Sequence, residues 1–580
     1  MKLVRFIITD FRGLKGSENI IDFQKSNILF LIGQNNVGKS TYLRAYEFFI
    51  NPKQKASRED FYNYDTSNPI VMEGWFIKDD DDSTDKEFIK IDTKDPTWMD
   101  KWINSSDGLI KIRKTWKSID GTFEKQTFDP QNNQWVANGF GGFDTIFSKY
   151  APEPIAINAM EDQDSLSEKV NKLINDNYLK KAKESQAALY NRTLNDLKKL
   201  HDSVLNDKEI KELNKKLNEH FNKVFSDLLL QIKSNRDDEI KIEDILKKNT
   251  TITVQHTGED RLETFLQNGH GIIRQALFNF LSFLKENSNG TKKEYLILFE
   301  EPELFLHPKV AFKLREMLYN LAEKSPYEIL CATHSPLMID ISKRHSSLIR
   351  TVKDEYENTK TYQVEPELFI KTNEEKERVQ MINRFNPHIC ESFYANKVIL
   401  VEGDTETIFY RDLLSRFYPN EEVFVLNTGS KFNIPFFQKI LTHFHIEHYV
   451  IHDMDYEIIP ADKTKQNSKP KKNSAWILNN SIWKEILITN GKYPNLARRY
   501  VHNANFENAN KYILEAGKDK PLSAYKFSKK VKCMDDDFDS VRILKDIMEK
   551  KEILHDDKYI EDHKKTKDQI DTENKSFQKV

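Results

Sequence analysis

Val398-Ile399-Leu400-Val401-Glu402-Gly403-Asp404-Thr405-Glu406 is the stretch from which the fold can be read. Four consecutive apolar residues describe a strand buried on both faces, and Glu402 stands at its carboxyl end with Gly403 opening a turn. About fifty residues on, Ile451-His452-Asp453-Met454-Asp455 repeats the arrangement, an apolar strand that delivers an Asp-x-Asp pair. If the two strand ends meet, Glu402, Asp453 and Asp455 share one crevice, with Glu406 one helical turn beyond Glu402. Carboxylates that close repel one another unless a cation stands between them, which predicts Mg2+ or Mn2+ held by oxygen ligands.

Ser26 to Thr41 reads S-N-I-L-F-L-I-G-Q-N-N-V-G-K-S-T, an apolar strand running into a glycine-bounded loop and then a helix. Gly33 and Gly38 let the backbone curl so that N–H groups and the helix N-terminus face phosphates. Gly33, Asn35, Asn36, Gly38, Lys39, Ser40 and Thr41 are therefore candidate nucleotide-binding residues, with Lys39 reaching the β- and γ-phosphates and Ser40 ligating Mg2+. Tyr295 to Glu303, Y-L-I-L-F-E-E-P-E, reads as a buried parallel strand ending in carboxylates. Glu300 is expected in the Mg2+ shell and Glu301 to polarise the attacking water. After Leu306-His307-Pro308 and a long helix comes Ile329-Leu330-Cys331-Ala332-Thr333-His334-Ser335-Pro336, a second apolar strand that ends in a histidine.

The spacing E-G-x-x-E followed by an apolar strand and D-x-D resembles the Toprim domain of topoisomerases, DnaG-type primases and some nucleases. The phosphate loop, the E-E-P-E strand, L-H-P and T-H-S-P, in that order, resemble ABC/SMC/RecF-like ATPases and most closely the OLD (overcoming lysogenization defect) family. Ile8-Thr9-Asp10-Phe11-Arg12-Gly13 also resembles the opening of RecF-like proteins. The resemblance implies an α/β chain: an ABC-type P-loop ATPase head with a helical insertion, followed by a Rossmann-like Toprim domain. It implies His334 as a switch histidine, and Leu266-Gln267-Asn268-Gly269-His270-Gly271 as a signature loop whose Gly269 and Gly271 face a partner head's nucleotide. Two points depart from the family pattern, the missing signature serine and Glu300 where Asp is usual.

At the Toprim end the resemblance implies Glu402, Glu406, Asp453 and Asp455 as metal ligands for two ions, Glu507 as a further ligand and Lys520 as a transition-state stabiliser. The implied activity is an ATP-binding, metal-dependent DNA endonuclease or nickase in anti-phage defence, with nucleotide state gating the Toprim site. Implied partners are DNA, a second copy in a dimer or higher oligomer, and either a helicase as in Gabija systems or a retron reverse transcriptase with its msDNA. The alternative is a non-cutting RecF/SMC-like repair ATPase that keeps the Toprim-like domain for binding.

The remaining sequence bounds this picture. With 580 residues, 31% of them charged, and a net charge of −3, any affinity for DNA has to come from local basic patches. Three cysteines, Cys331, Cys390 and Cys533, fit neither a disulfide framework nor a paired zinc site, which suits the cytoplasm. No apolar run approaches the ~18 to 20 residues of a membrane span, so no membrane is expected among the partners. The expected segments are 1–164 and 249–385 for the two halves of the ATPase, 165–248 for a helical arm or dimerisation insertion, 386–530 for Toprim and 531–580 for a charged tail. Residues 69–128 alternate as antiparallel strands, with Asp79 to Asp82 as a solvated hairpin tip. Lys463, Lys465, Lys469, Lys471 and Lys472, with Arg498 and Arg499, are expected to clamp a DNA backbone. His443, His445, His448 and His452 are expected to be structural rather than zinc ligands.

Overall fold

The computed structural model describes residues 1–78, 99–140, 144–160, 185–205, 294–323, 327–343, 345–364, 387–461, 469–513, 519–551 and 555–579, with short pieces at 142, 165, 168–169, 212, 215, 253–255, 262–264, 377 and 381. Residues 1–159 and 288–580 form one compact unit and residues 160–287 another. In the second unit the described elements include the helix Ala187–Leu205 and an antiparallel pair, Thr253–Gln255 with Leu262–Thr264. Gly269 and Gly271, the acidic stretch Asp79 to Asp82, and Lys463 and Lys465 lie outside the described residues.

The first unit is built on three sheets. In the head, a six-stranded sheet runs Thr359–Gln363, Leu348–Lys353, Ile28–Ile32, Tyr327–Thr333, Tyr295–Glu300, Glu153–Ile157, parallel except at the Thr359–Gln363 edge. Every residue of Ile28–Ile32 and of Tyr327–Thr333 is buried, as parallel strands covered on both faces require. The T-H-S-P strand lies between the phosphate-loop strand and the E-E-P-E strand, with Thr333 opposite Ile32 and Ala332 opposite Glu300. That register brings the three strand ends level.

A six-stranded antiparallel sheet, ordered Asn19–Asp22, Lys2–Thr9, Ile70–Ile77, Leu109–Trp116, Glu124–Asp129, Gln134–Ala137, forms the second layer. Its alternating burial matches the period-two pattern of the sequence. The helix Lys39–Ile50 shares one core with both sheets, its Tyr42, Tyr46 and Phe49 grouped with Phe6 and Ile112 of one and Leu29 and Leu298 of the other. Phe6 meets Tyr46 edge-on at 5.6 Å between ring centroids.

The third sheet is four-stranded and wholly parallel, ordered Val423–Asn427, Lys397–Val401, Glu447–Asp453, Ala497–His502. Helices Asp404–Phe417 and Ile434–His443 connect its first three strands. The residues after 530, which read as a charged tail, belong to this core: Val531, Val541, Ile543, Leu544 and Ile547 bury with Ile399, Val401, Phe409 and Tyr449. The helix Asp539–Met548 spaces Val541, Ile543, Leu544 and Ile547 along its buried side and leaves Arg542 exposed, while the buried Asp546 pairs with Lys551 at 2.9 Å. Gln578–Lys579 adds a parallel strand beside Tyr512–Ile513. Among the described residues no helix is long and apolar enough to cross a membrane.

One polar group in the head sits against this logic. Glu328, at the start of the central strand Tyr327–Thr333, is 1% exposed, and neither carboxyl oxygen makes a hydrogen bond of ordinary geometry. Burial pushes it up to about 8, opposed by Lys2 and reinforced by Glu294. A carboxyl held above its unfolded value of 4.5 binds protons more tightly when folded, so stability falls as pH climbs from there toward 8. Glu328→Gln should raise the melting temperature by on the order of a few degrees at pH 9 and by little at pH 5. Equal shifts at both pH values in a calorimetric or fluorescence melt would contradict it.

Candidate nucleotide site and acidic crevice

The phosphate loop is shaped by backbone that other side chains could not adopt. Gly33 has φ +151°, and a Cβ there would lie 2.1 Å from the Thr351 carbonyl oxygen; Gly38 has φ +96° and a Cβ position 2.8 Å from Thr359 Oγ1. Thr359 Oγ1 also donates to the Val37 carbonyl at 2.9 Å, so the edge hairpin grips the loop from behind. Gly38 precedes the helix Lys39–Ile50 with no side-chain cap, which leaves first-turn amides available to an anion. Lys39 is buried, its ammonium donating to the Gly33 carbonyl at 2.9 Å and the Gln34 carbonyl at 2.7 Å.

The neighbouring strands supply the acids. Ser40 Oγ donates to Glu300, the pairing expected of two groups that share an Mg2+ shell. Glu301 holds φ +46°, a left-handed conformation that is costly outside glycine and turns its carboxyl toward His334. His334 Nε2 lies 3.6 Å from Glu301 Oε1, and its Nδ1 lies 3.3 Å from Lys39 Nζ. Burial, then Lys39, pushes His334 down to about 4, so the ring is neutral at physiological pH and meets Glu301 as a polar contact rather than an ion pair. Burial brings Lys39 down to about 8 against the pull of Glu301, Glu303 and Glu300. Glu303, to which the sequence reading gave no role, is raised by burial and accepts from Thr333 Oγ1 at 2.7 Å. This donor and acceptor set fits a nucleotide with a divalent cation.

In the four-stranded parallel sheet the strand ends bring Glu402 and Asp453 together, with Glu402 Oε1 accepting from the Asp453 amide at 2.8 Å. Asp453 is raised first by burial and then by Glu402, Glu507 and Asp455; Glu406 is pushed up to about 7 by burial and by Asp453. Glu402 also reaches about 7, driven by burial and lowered by Lys431. Five carboxylates therefore feel one another, Glu507 among them. Lys520 stands at the rim, its side chain 68% exposed and its ammonium 3.9 Å from Glu507 Oε1. Among the described residues no three acidic, histidine or cysteine side chains close round a single point as they stand. The chemistry and charge of the cluster fit a divalent cation, since its mutual repulsion falls when one enters.

Two contributors were missed from sequence. Lys431, 4% exposed, donates to the Asp453 carbonyl at 2.5 Å and to Asp455 Oδ2 at 2.7 Å. Its signal lay in Asn427-Thr428-Gly429-Ser430-Lys431, a loop that leaves the strand beside Lys397–Val401 and so had to arrive at the same edge. His502, at the end of the fourth strand, places Nδ1 3.4 Å from Asp453 Oδ1, while its Nε2 lies 3.0 Å from Ser540 Oγ and 3.2 Å from the Tyr410 hydroxyl. Ser540 belongs to the segment after 530, so that segment helps to seat an acidic residue of the crevice.

The expected DNA clamp is corrected in one place. Arg499 is fully buried, donates to the Asn479 carbonyl at 2.8 Å and the His555 carbonyl at 2.6 Å, and lies over the Trp483 ring, because the helix Ser474–Lys492 and the segment at His555 cover this face of the edge strand; it cannot meet a DNA backbone. Lys471 and Lys472 are exposed on a small pairing with Ile458–Ile459. His448 and His452 are buried, and His445 stacks on Tyr362 at 5.0 Å, each in a separate environment.

A phosphate-loop head joined to a parallel domain with an acidic crevice defines an ATPase coupled to a Toprim fold. The chain belongs to the AAA ATPase domain family, which matches residues 1–134 and 144–339, and residues 393–455 match the overcoming lysogenization defect protein-like TOPRIM domain. It is 25% identical over 432 residues to Old nuclease of Escherichia phage P2, covering 70% of this chain and 68% of that protein. It is 23% identical over 494 residues to Endonuclease GajA of Bacillus cereus (strain VD045), covering 81% of this chain and 76% of that protein. Among solved structures, an SMC head bound to the C-winged helix domain of ScpA gives a TM-score of 0.35 at 11% identity, over 63% of this chain and 98% of that one, a likeness too slight to bear on the argument.

The loop geometry makes a direct test available. Gly33→Ala should weaken binding of a non-hydrolysable ATP analogue by about tenfold or more, because the loop has to move off the Thr351 carbonyl. Calorimetry showing wild-type affinity would refute the close approach.

Proposed function

We propose that this chain is an ATP-binding, divalent-metal-dependent DNA endonuclease or nickase in which the nucleotide state of the head gates the Toprim crevice. The observation that carries the reading is the carboxylate cluster at the ends of two parallel strands, Glu402, Asp453 and Asp455 half-buried, with the buried Glu406 of the following helix and Glu507 beside them. The similarity to proteins named Old nuclease and Endonuclease GajA supports it. Divalent ions bound by these carboxylates would activate water and neutralise the leaving oxygen of a phosphodiester. The chain itself holds Glu402 against the Asp453 amide, keeps Asp455 on Lys431, and seats Asp453 beside His502. Lys520 at the rim is a candidate to meet the phosphate. A role in defence against phage, dimerisation through the heads, and a helicase or retron partner form part of the proposal on family resemblance alone.

Gating has a physical route within the first unit. The strand Leu348–Lys353 pairs with the phosphate-loop strand, placing Arg350 opposite Ile32 and the Thr351 carbonyl against Gly33. Arg350, 3% exposed, points the other way and donates to the Phe444 carbonyl at 2.9 Å, the Ala395 carbonyl at 2.8 Å and the Phe393 carbonyl at 3.1 Å, just before the Toprim strands begin. A loop that shifts on its nucleotide therefore pulls on a strand anchored in the second domain, a coupling between two sites.

Supercoiled plasmid incubated with Mg2+ or Mn2+ should be nicked or linearised by the wild type and left intact by Asp453→Ala/Asp455→Ala. Gating predicts a rate that changes between ATP and ADP and loses that response in Lys39→Ala. A rate indifferent to nucleotide and to Lys39→Ala would dismiss gating while leaving the nuclease reading intact. Arg350→Lys, which keeps the charge but loses the forked donors, should shrink the nucleotide response with metal-dependent cleavage retained.

A further inference from the structure

We propose, resting on the nuclease reading above, that Lys431 is a positioning residue: an internal cation that holds the Asp453–Asp455 turn in its ligating arrangement before metal binds. The turn needs such support. Asp455 sits at φ +64°, a conformation unfavourable for a side chain with a Cβ, and its carboxylate shares the crevice with Glu402 and Asp453. Repulsion and backbone strain both favour release of the turn. Backbone and amide contacts oppose it, the Met454 amide on the His502 carbonyl at 3.0 Å, the Asp455 amide on the Ala504 carbonyl at 2.8 Å and Asn479 Nδ2 on the Met454 carbonyl at 2.9 Å, and the Lys431 ammonium adds a positive charge on Asp455 Oδ2 and the Asp453 carbonyl.

The loop that carries Lys431 is built to deliver it. Thr428 Oγ1 donates to the Val401 carbonyl at 2.9 Å, tying the loop to the strand that ends in Glu402. Asn433 Nδ2 donates to the Thr428 carbonyl at 2.8 Å, and Ser430 Oγ accepts from the Phe432 amide, closing the turn on both sides of the lysine. An ordinary surface lysine is solvated and mobile, whereas this one is 4% exposed and directed at the protein. Because its ammonium touches a ligand and a ligand's carbonyl, its effect passes through the geometry of Asp453 and Asp455. A residue that orients metal ligands in this way typically changes metal affinity by about 10- to 100-fold when removed.

The test uses the full chain without nucleotide. Mn2+ binding is measured by electron paramagnetic resonance for wild type, Lys431→Met and Lys431→Gln, with Asp453→Ala/Asp455→Ala defining ions bound elsewhere. Plasmid cleavage is followed against Mn2+ concentration in parallel. Lys431→Met should weaken Mn2+ binding by about 10- to 100-fold and raise the Mn2+ needed for half-maximal cleavage to match, with the rate at saturating Mn2+ within about threefold of wild type. Lys431→Gln keeps an N–H donor without the charge and should fall between. Mn2+ affinity in Lys431→Gln within about twofold of wild type overturns the proposal whether or not Lys431→Met folds. Tighter binding in either variant also overturns it, by making Lys431 a competitor of the metal. A wild type with no Mn2+ binding beyond that of Asp453→Ala/Asp455→Ala, and no cleavage, sinks the nuclease reading itself, a result distinct from a failure of Lys431 alone.

Discussion

Carboxylates gathered at the ends of parallel strands and opposed by one buried lysine recur in both halves of the molecule. In the head, Lys39 faces Glu300, Glu301 and Glu303; in the second domain, Lys431 faces Glu402 and Asp455. Parallel strands make this arrangement inevitable, because every strand discharges its last side chain at the same edge, where the loops leave room for a ligand. Burial then turns each cluster into stored electrostatic work, visible in Glu402 and Glu406 displaced to about 7 and Lys39 displaced to about 8. A ligand of the charge each cluster lacks would relieve that strain.

The two sites lie in one compact unit and are joined by packed contacts. The edge hairpin Leu348–Lys353 and Thr359–Gln363 touches the phosphate loop through Thr351 and Thr359, and reaches the second domain through Arg350 and the Tyr362–His445 stack. Arg350 is satisfied by carbonyl dipoles rather than a carboxylate, so its buried charge depends on the fit of that surface. Any rearrangement that separates the hairpin from the carbonyls leaves a buried guanidinium unpaired, which ties the position of one domain to that of the other. The segment after residue 530 reaches the crevice through Ser540, His502 and Asp453.

Much of the architecture was legible because the signals were local. The apolar runs at Ile28–Ile32, Tyr295–Glu300 and Lys397–Val401 name buried parallel strands, and glycine spacing names the phosphate loop. Glu402 and Asp453 were legible as a pair because each stands at the end of such a run. Lys431 and His502 were not, since a lysine in a serine-glycine loop and a histidine ending a strand look like surface and structure until their neighbours are known. Arg499 was misjudged for the same reason in reverse: an Arg-Arg pair reads as a basic patch, but the two side chains leave opposite faces of the strand, Arg498 half-buried with its guanidinium on the Lys551 carbonyl and Arg499 wholly inside.

By itself the sequence determined the identity of the reactive groups and the elements that carry them, because residue type and spacing are properties of neighbouring residues along the chain. Tertiary structure alone decided which charges face each other, which lysine is buried among acids, and that the final charged segment completes a core. Burial and distance between residues far apart in sequence set those outcomes, and neither quantity exists until the chain has folded.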